Sequence, residues 1–205
     1  MNEHVRLHSA PRTTQAAEGL PRREWTVADV MALVQAGFID EDERFEMIGG
    51  EIVPMSPKGS SHELVKRRVT NHFHKVVPER FEIVGETTLH LDERSFFEPD
   101  IIVIDRDLHP ELVYGPKVRL AVEIADSSLK YDQGRKSELY AKYRVREVWV
   151  INALTLVTTV RRRLGKAGYG EEKDIPYTKL ITPTLVPELA LRIADLGLRP
   201  LKRKA

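Results

Sequence analysis

Three short runs, Ile101 to Ile104, Leu120 to Val122 and Val148 to Ile151, are apolar without a break, and they constrain the fold more than any other feature. A strand with one wet face alternates polar and apolar residues, so an unbroken run is the pattern of a strand covered on both faces. The first two runs are expected at the centre of a sheet. Between the second and third, a segment starting near Asp132 places Leu139, Tyr140 and Tyr143 on overlapping helical faces. Strand, helix, strand in that order implies a right-handed crossover, with the helix lying across the sheet beside the Val118 to Ala125 strand. The expected class is therefore α/β, a mixed central sheet flanked by helices.

The preceding segment adds a helix and a hairpin. Thr26 and Asp29 form a capping-box pattern ahead of Val27, Val30, Met31 and Val34, and Gly37 can end that helix. Phe45 to Ile48 and Glu51 to Met55 flank Gly49-Gly50, a pair suited to a two-residue hairpin turn. Ser60, with Glu63 at the reciprocal position, is expected to cap a second helix whose Val65, Val69, Phe73 and Val76 share a face until Pro78. Phe81 to Val84 and Thr87 to Leu91 read as further strands. After the third apolar run, Thr155 to Arg162, a turn region at Gly165 to Gly170 and a short Leu189 to Leu196 element complete the domain.

The chain has 205 residues, enough for one domain with appendages. Residues 1–24 lack hydrophobic periodicity and are expected to be a flexible arm, residues 25–198 a single domain, and residues 199–205 a basic tail. The 32 Lys and Arg nearly balance 31 Asp and Glu, for a net charge of +1, so any polyanion site must be local rather than a property of the whole molecule. With no cysteine, thiolate nucleophiles and thiolate metal sites are excluded, and metal chemistry falls to oxygen or histidine ligands. No apolar run approaches the ~18 residues of a membrane span, and a cytoplasmic protein is expected.

Carboxylates stand where the apolar pattern leaves no room for them. Asp100 directly precedes Ile101, and Glu123 interrupts Leu120-Ala121-Val122-Glu123-Ile124-Ala125. A buried charge is costly unless it is compensated, so both residues need a partner. Adjacent strands would bring them together, and with a backbone carbonyl, at Ile124, they would make an oxygen site for Mg²⁺, with Mn²⁺ a plausible substitute. Lys136, four residues after Asp132 and four before Tyr140, can lean from its helix towards these carboxylates, with Lys130 a nearer competitor less fixed by helical geometry. The plain alternative is a turn-capping Asp100, a Glu123 salt bridge and an Asp132–Lys136 surface pair.

These residues resemble a known family. The strings VRLAVEIADSSLKYDQGRKSELYAKYRVREVWVIN at Val118 to Asn152, FEPDIIVID at Phe97 to Asp105 and GGEIVPMSPKGSSH at Gly49 to His62 are similar to the Uma-type family of restriction-endonuclease-like bacterial proteins, within the PD-(D/E)XK nuclease superfamily. The resemblance covers most of residues 25 to 196. It implies a restriction-endonuclease-like core that cuts phosphodiester bonds with divalent metal, Asp100 and Glu123 matching the two acidic positions. The superfamily lysine would fall two residues after Glu123, where this chain has Ala125; Lys136 matches the position to which the Uma-type lysine has moved. Glu51 and His62 also match recurring family positions, as a third carboxylate or holder of a metal-bound water and as a hydrogen-bond donor to phosphate or proton-transfer group, equally open to being a hairpin-surface glutamate and a first-turn histidine, and Glu46 is a weaker candidate.

The expected function is a Mg²⁺-dependent DNA endonuclease acting through Asp100, Glu123 and Lys136. The alternative is a nucleic-acid-binding or regulatory module of the same fold with little catalysis. A homodimer is expected, because cutting both strands of a duplex is easiest with two sites. Replacing Asp100 or Glu123 by its amide is expected to abolish cleavage while leaving the melting temperature near or above that of the parent.

Overall fold

In the computed structural model, residues 23–55, 57–109, 112–126 and 128–201 are described. Most of the expected arm and the end of the expected basic tail lie outside them. The chain divides into two compact units, residues 1–55 with 92–96, and residues 56–91 with 97–205.

In the smaller unit, Thr26 caps α1 (Val27–Gln35) and the capping box with Asp29 is formed in both directions. β1 (Phe45–Ile48) and β2 (Glu51–Pro54) make the hairpin around Gly49-Gly50, whose φ values of +59° and +83° are those of a primed turn that favours glycine. Val30 from the helix packs with Phe45, Met47 and Phe96 in a small apolar cluster. Phe96 lies on β5 (Ser95–Phe97), a three-residue strand that its sequence does not announce.

The larger unit is built on a six-stranded sheet. α2 (Ser60–Val76) leads into β3 (Phe81–Gly85), and after β4 (Leu89–Asp92) and β5 the chain forms β6 (Ile101–Asp105) and β7 (Leu120–Ala125). A helical segment then reaches β8 (Val148–Asn152), followed by the long hairpin of β9 (Thr158–Gly165) and β10 (Gly168–Ile175). The strand order is β10-β9-β8-β7-β6-β3, with β7 and β8 parallel and the other pairs antiparallel. The parallel pair joined by a helix is the crossover unit that the sequence implied.

The main core lies on one face. Val65, Val69 and Phe73 of α2 pack there with Ile101, Val103, Val122, Ile124 and Trp149, all nearly or fully buried. α2 itself is not capped by Ser60: Gly59 is the N-cap and supplies no side-chain bond. A Cβ at Gly59 would come within 2.9 Å of the Asp126 carboxylate. No helix among the described residues is long and apolar enough to cross a membrane.

Candidate active site

Side chains alternate across a strand, so with Val122 and Ile124 in the main core, Glu123 between them projects from the opposite face. It is nevertheless 3% exposed, because the crossover segment covers that face. This segment begins at Leu129, three residues before the sequence suggests, and is not one helix. A short α3 (Leu129–Tyr131) runs into a π turn over Asp132–Lys136, with non-helical backbone at Gly134, and then into α4 (Ser137–Lys142).

Three hydrogen bonds hold the turn where regular helical pairing fails. Arg161 of β9, itself 7% exposed, donates to the Gln133 carbonyl at 2.6 Å and to Ser137 Oγ at 3.0 Å, and Ser137 Oγ donates to the Asp132 carbonyl at 2.5 Å.

The turn delivers Lys136 to Glu123. The ammonium lies 2.9 Å from Glu123 Oε1, both side chains being 4% exposed, and 5.3 Å from the centre of the Phe97 ring. Tyr140, one turn on and fully buried, donates its hydroxyl to the same Glu123 oxygen and meets Phe97 edge to face at 5.1 Å. The buried carboxylate thus has both a counter-charge and a donor, the two conditions under which such burial is tolerated.

Asp100 occupies the adjoining position on the next strand. Ile101 pairs with Val122 in the antiparallel ladder, which sets Asp100 opposite Glu123. Asp100 Oδ2 accepts the Ile124 amide at 2.8 Å and faces His62 Nε2 at 3.0 Å, while Oδ1 accepts from Lys58 at 2.8 Å. Burial alone would raise the Asp100 pKa, but the His62 and Lys58 contacts outweigh it and hold the carboxyl well below its usual value. Lys58 also reaches Glu86 at 2.6 Å, and Lys66 meets the same Glu86 oxygen at 3.1 Å; the Lys58 bond, against a smaller desolvation effect, lowers the Glu86 pKa to about 2. His62 Nδ1 lies 3.1 Å from Glu63 Oε1, extending the network along the first turn of α2.

The larger unit therefore holds two pairs on neighbouring strands, Lys136 with Glu123 on β7 and His62 with Asp100 at the head of β6. Glu46 on β1, 3% exposed, and Glu51 at the start of β2, half-buried, belong to the smaller unit. Lys130 stands exposed in α3. Sequence reasoning did not single out Lys58, which sits in the loop before α2 with no periodicity to fix its direction, or the hydroxyl of Tyr140.

Among the described residues no group of three or more His, Asp or Glu side chains is arranged to hold a metal ion. Oxygen donors are what a hard cation selects, and Asp100 and Glu123 are the carboxylates that would supply them to one that keeps several waters. Ile124 adds to that set: its amide points to Asp100, and in a strand the amide and carbonyl of one residue leave towards the same neighbour.

Comparison with known proteins agrees with this architecture. No curated protein matches the chain. Among solved structures, a protein of Anabaena variabilis ATCC 29413 titled "putative nuclease belonging to DUF820" superposes with a TM-score of 0.66 at 18% identity, over 83% of this chain and 96% of that one. The fold is accordingly restriction-endonuclease-like. Residues 30–194 match the Uma2 family model, whose description is "Putative restriction endonuclease", and the chain belongs to that family.

Proposed function

We infer that the protein is a metal-dependent endonuclease that hydrolyses phosphodiester bonds of DNA. The observation that carries this reading is the buried Lys136–Glu123 pair, directly across the ladder from Asp100. A site built only for stability gains little from two carboxylates and a lysine in this position, because apolar side chains of similar volume stabilise a core equally well or better. Two carboxylates and a lysine are the set that metal-assisted phosphodiester hydrolysis uses, as in the PD-(D/E)XK enzymes that the sequence resembles.

In this reading Asp100, Glu123 and the Ile124 carbonyl would hold Mg²⁺ or Mn²⁺, which when bound would supply Lewis-acid polarisation of the phosphate and activation of water. The rest is done by the chain's own groups. Water oxygen attacks phosphorus and gives up a proton to solvent, the bond to the leaving sugar oxygen breaks as that oxygen takes a proton from solvent, and negative charge accumulates on the non-bridging oxygens in between. The Lys136 ammonium, fixed by the π turn, donates to those oxygens as charge develops. Tyr140 keeps Glu123 in one rotamer, and His62 and Lys58 keep Asp100 ionised and oriented. A homodimer would present two such sites to the two strands of a duplex.

A panel of duplex DNA, single-stranded DNA and RNA incubated with Mg²⁺, Mn²⁺ or EDTA tests the reading. DNA cut only with metal is the expected result; no cleavage of any substrate with either metal would leave a binding module of the same fold.

A further inference from the structure

Two neighbouring clefts lie in the larger unit away from the carboxylates. The first, of ≈ 400 Å³, is lined by Arg144, Arg146, Arg162 and Arg163, with Glu147 as its acidic member. The second, of ≈ 580 Å³, shares Arg144 and adds Lys142, Arg161 and Lys166 against Glu138 and Glu172. Seven basic side chains against three acidic ones is a concentrated imbalance in a chain whose overall charge is only +1.

The local backbone decides how much of it is offset within the chain. Arg144 and Arg163 have φ of +67° and +59°, left-handed values that arginine seldom adopts. Neighbours in an extended strand face opposite ways, yet the turned backbone at Arg163 lets Arg162 and Arg163 meet the same Glu171 carboxylate, at 2.7 and 2.9 Å. Glu147 has other work: its two oxygens accept from Trp149 Nε1 and the Thr184 amide, both at 2.8 Å. Arg161 is engaged with Glu172 and the π turn. Lys142, Arg144, Arg146 and Lys166 have no carboxylate partner among the described residues, and their positive charge is available to a ligand.

The position of the strip matters as much as its charge. Gly134 and Ser137 line the second cleft, and between them in the chain stands Lys136, whose ammonium faces Glu123 on the inner side of the same turn. The first cleft adjoins it at the end of the sheet where β8 begins and β9 ends, since Glu147 precedes β8 and Arg162 and Arg163 fall late in β9.

We propose that this strip, from Lys142 and Lys166 through Arg144 to Arg146, is a track for the phosphate backbone of the DNA substrate, leading away from the candidate active site. The proposal rests on the nuclease reading for its choice of polyanion. It adds a binding surface whose contacts are to phosphate, and therefore independent of sequence.

Anisotropy of a fluorescein-labelled DNA duplex, titrated in EDTA over a range of KCl concentrations, tests it without cleavage. Arg146→Glu with Lys166→Glu should weaken binding about tenfold or more and reduce the slope of log affinity against log salt by about 2, the loss expected for two phosphate contacts. Arg68→Glu with Lys179→Glu, an equal charge change at exposed positions elsewhere, should alter affinity less than about twofold. Equal effects of the two pairs, or no effect of the first, would overturn the track. Failure of the nuclease reading shows separately, as intact DNA in Mg²⁺ with binding and its dependence on Arg146 and Lys166 unchanged.

Discussion

Lys136 Nζ and Glu123 Oε1 stand 2.9 Å apart with both side chains 4% exposed, so neither charge can be altered without stranding the other away from water. This changes what is expected of Glu123→Gln. Removing the charge leaves a buried ammonium without its partner, and the variant should lose about 3–5 kcal/mol of stability instead of melting near the parent. Glu123→Gln with Lys136→Met should recover most of that loss. Thermal denaturation of the two single variants and the double variant checks it; simple additivity would contradict the pairing.

Tyr140→Phe removes the hydroxyl that Glu123 accepts but keeps the ring against Phe97. A hydrogen bond to a charged group contributes about 1.5–3 kcal/mol, so urea denaturation should show a loss in that range with an unchanged m value. Nuclease activity should fall with it, since the carboxylate loses one of its restraints.

Acid should weaken the network around Asp100 and Glu86 in a defined direction. Both carboxyls are held below their ordinary values of 3.8 and 4.5, Glu86 at about 2. A group with a depressed folded pKa contributes stability that is complete above its unfolded pKa and is lost as pH falls through the folded one. Stability should therefore decline from about pH 4.5 downwards, and Asp100→Asn should flatten the part of that decline below about pH 3.8. An identical pH profile for Asp100→Asn and the parent would contradict the assignment of the shift.

Arg161→Met tests the clamp on the π turn. The substitution keeps an unbranched apolar stem but leaves the Gln133 carbonyl and Ser137 Oγ without their guanidinium donor. The expected result is a folded protein with kcat for DNA cleavage reduced about tenfold or more and KM little changed, because the lysine is displaced and substrate contacts are not. Recovery of kcat in Arg161→Lys would support positioning through the Gln133 carbonyl.

Much of this architecture is legible in the chain. The unbroken runs at Ile101, Leu120 and Val148 became β6, β7 and β8, and a carboxylate at the head of one run and inside another sufficed to set Asp100 against Glu123. Other parts carry no periodic signal. β10, Gly168 to Ile175, is mostly polar and exposed, and is a strand because it pairs with β9 rather than because it buries a face. The π turn depends on Arg161, a residue distant in sequence. Lys58 lies between Pro57 and Gly59, where nothing in the spacing says which way it points. Ser60 fits the capping pattern, but the helix begins one residue earlier than that pattern implies, with Gly59 as its cap.

The most direct test of the central claim is the rate of DNA cleavage by Lys136→Ala in Mg²⁺, alongside the metal affinity of the same variant. Lysine is not a metal ligand in this account, so Mg²⁺ binding should survive in calorimetric titration while the cleavage rate falls by about 10²–10³, the scale of losing a donor aimed at developing charge. A folded Lys136→Ala protein that cuts DNA at the parent rate would contradict it.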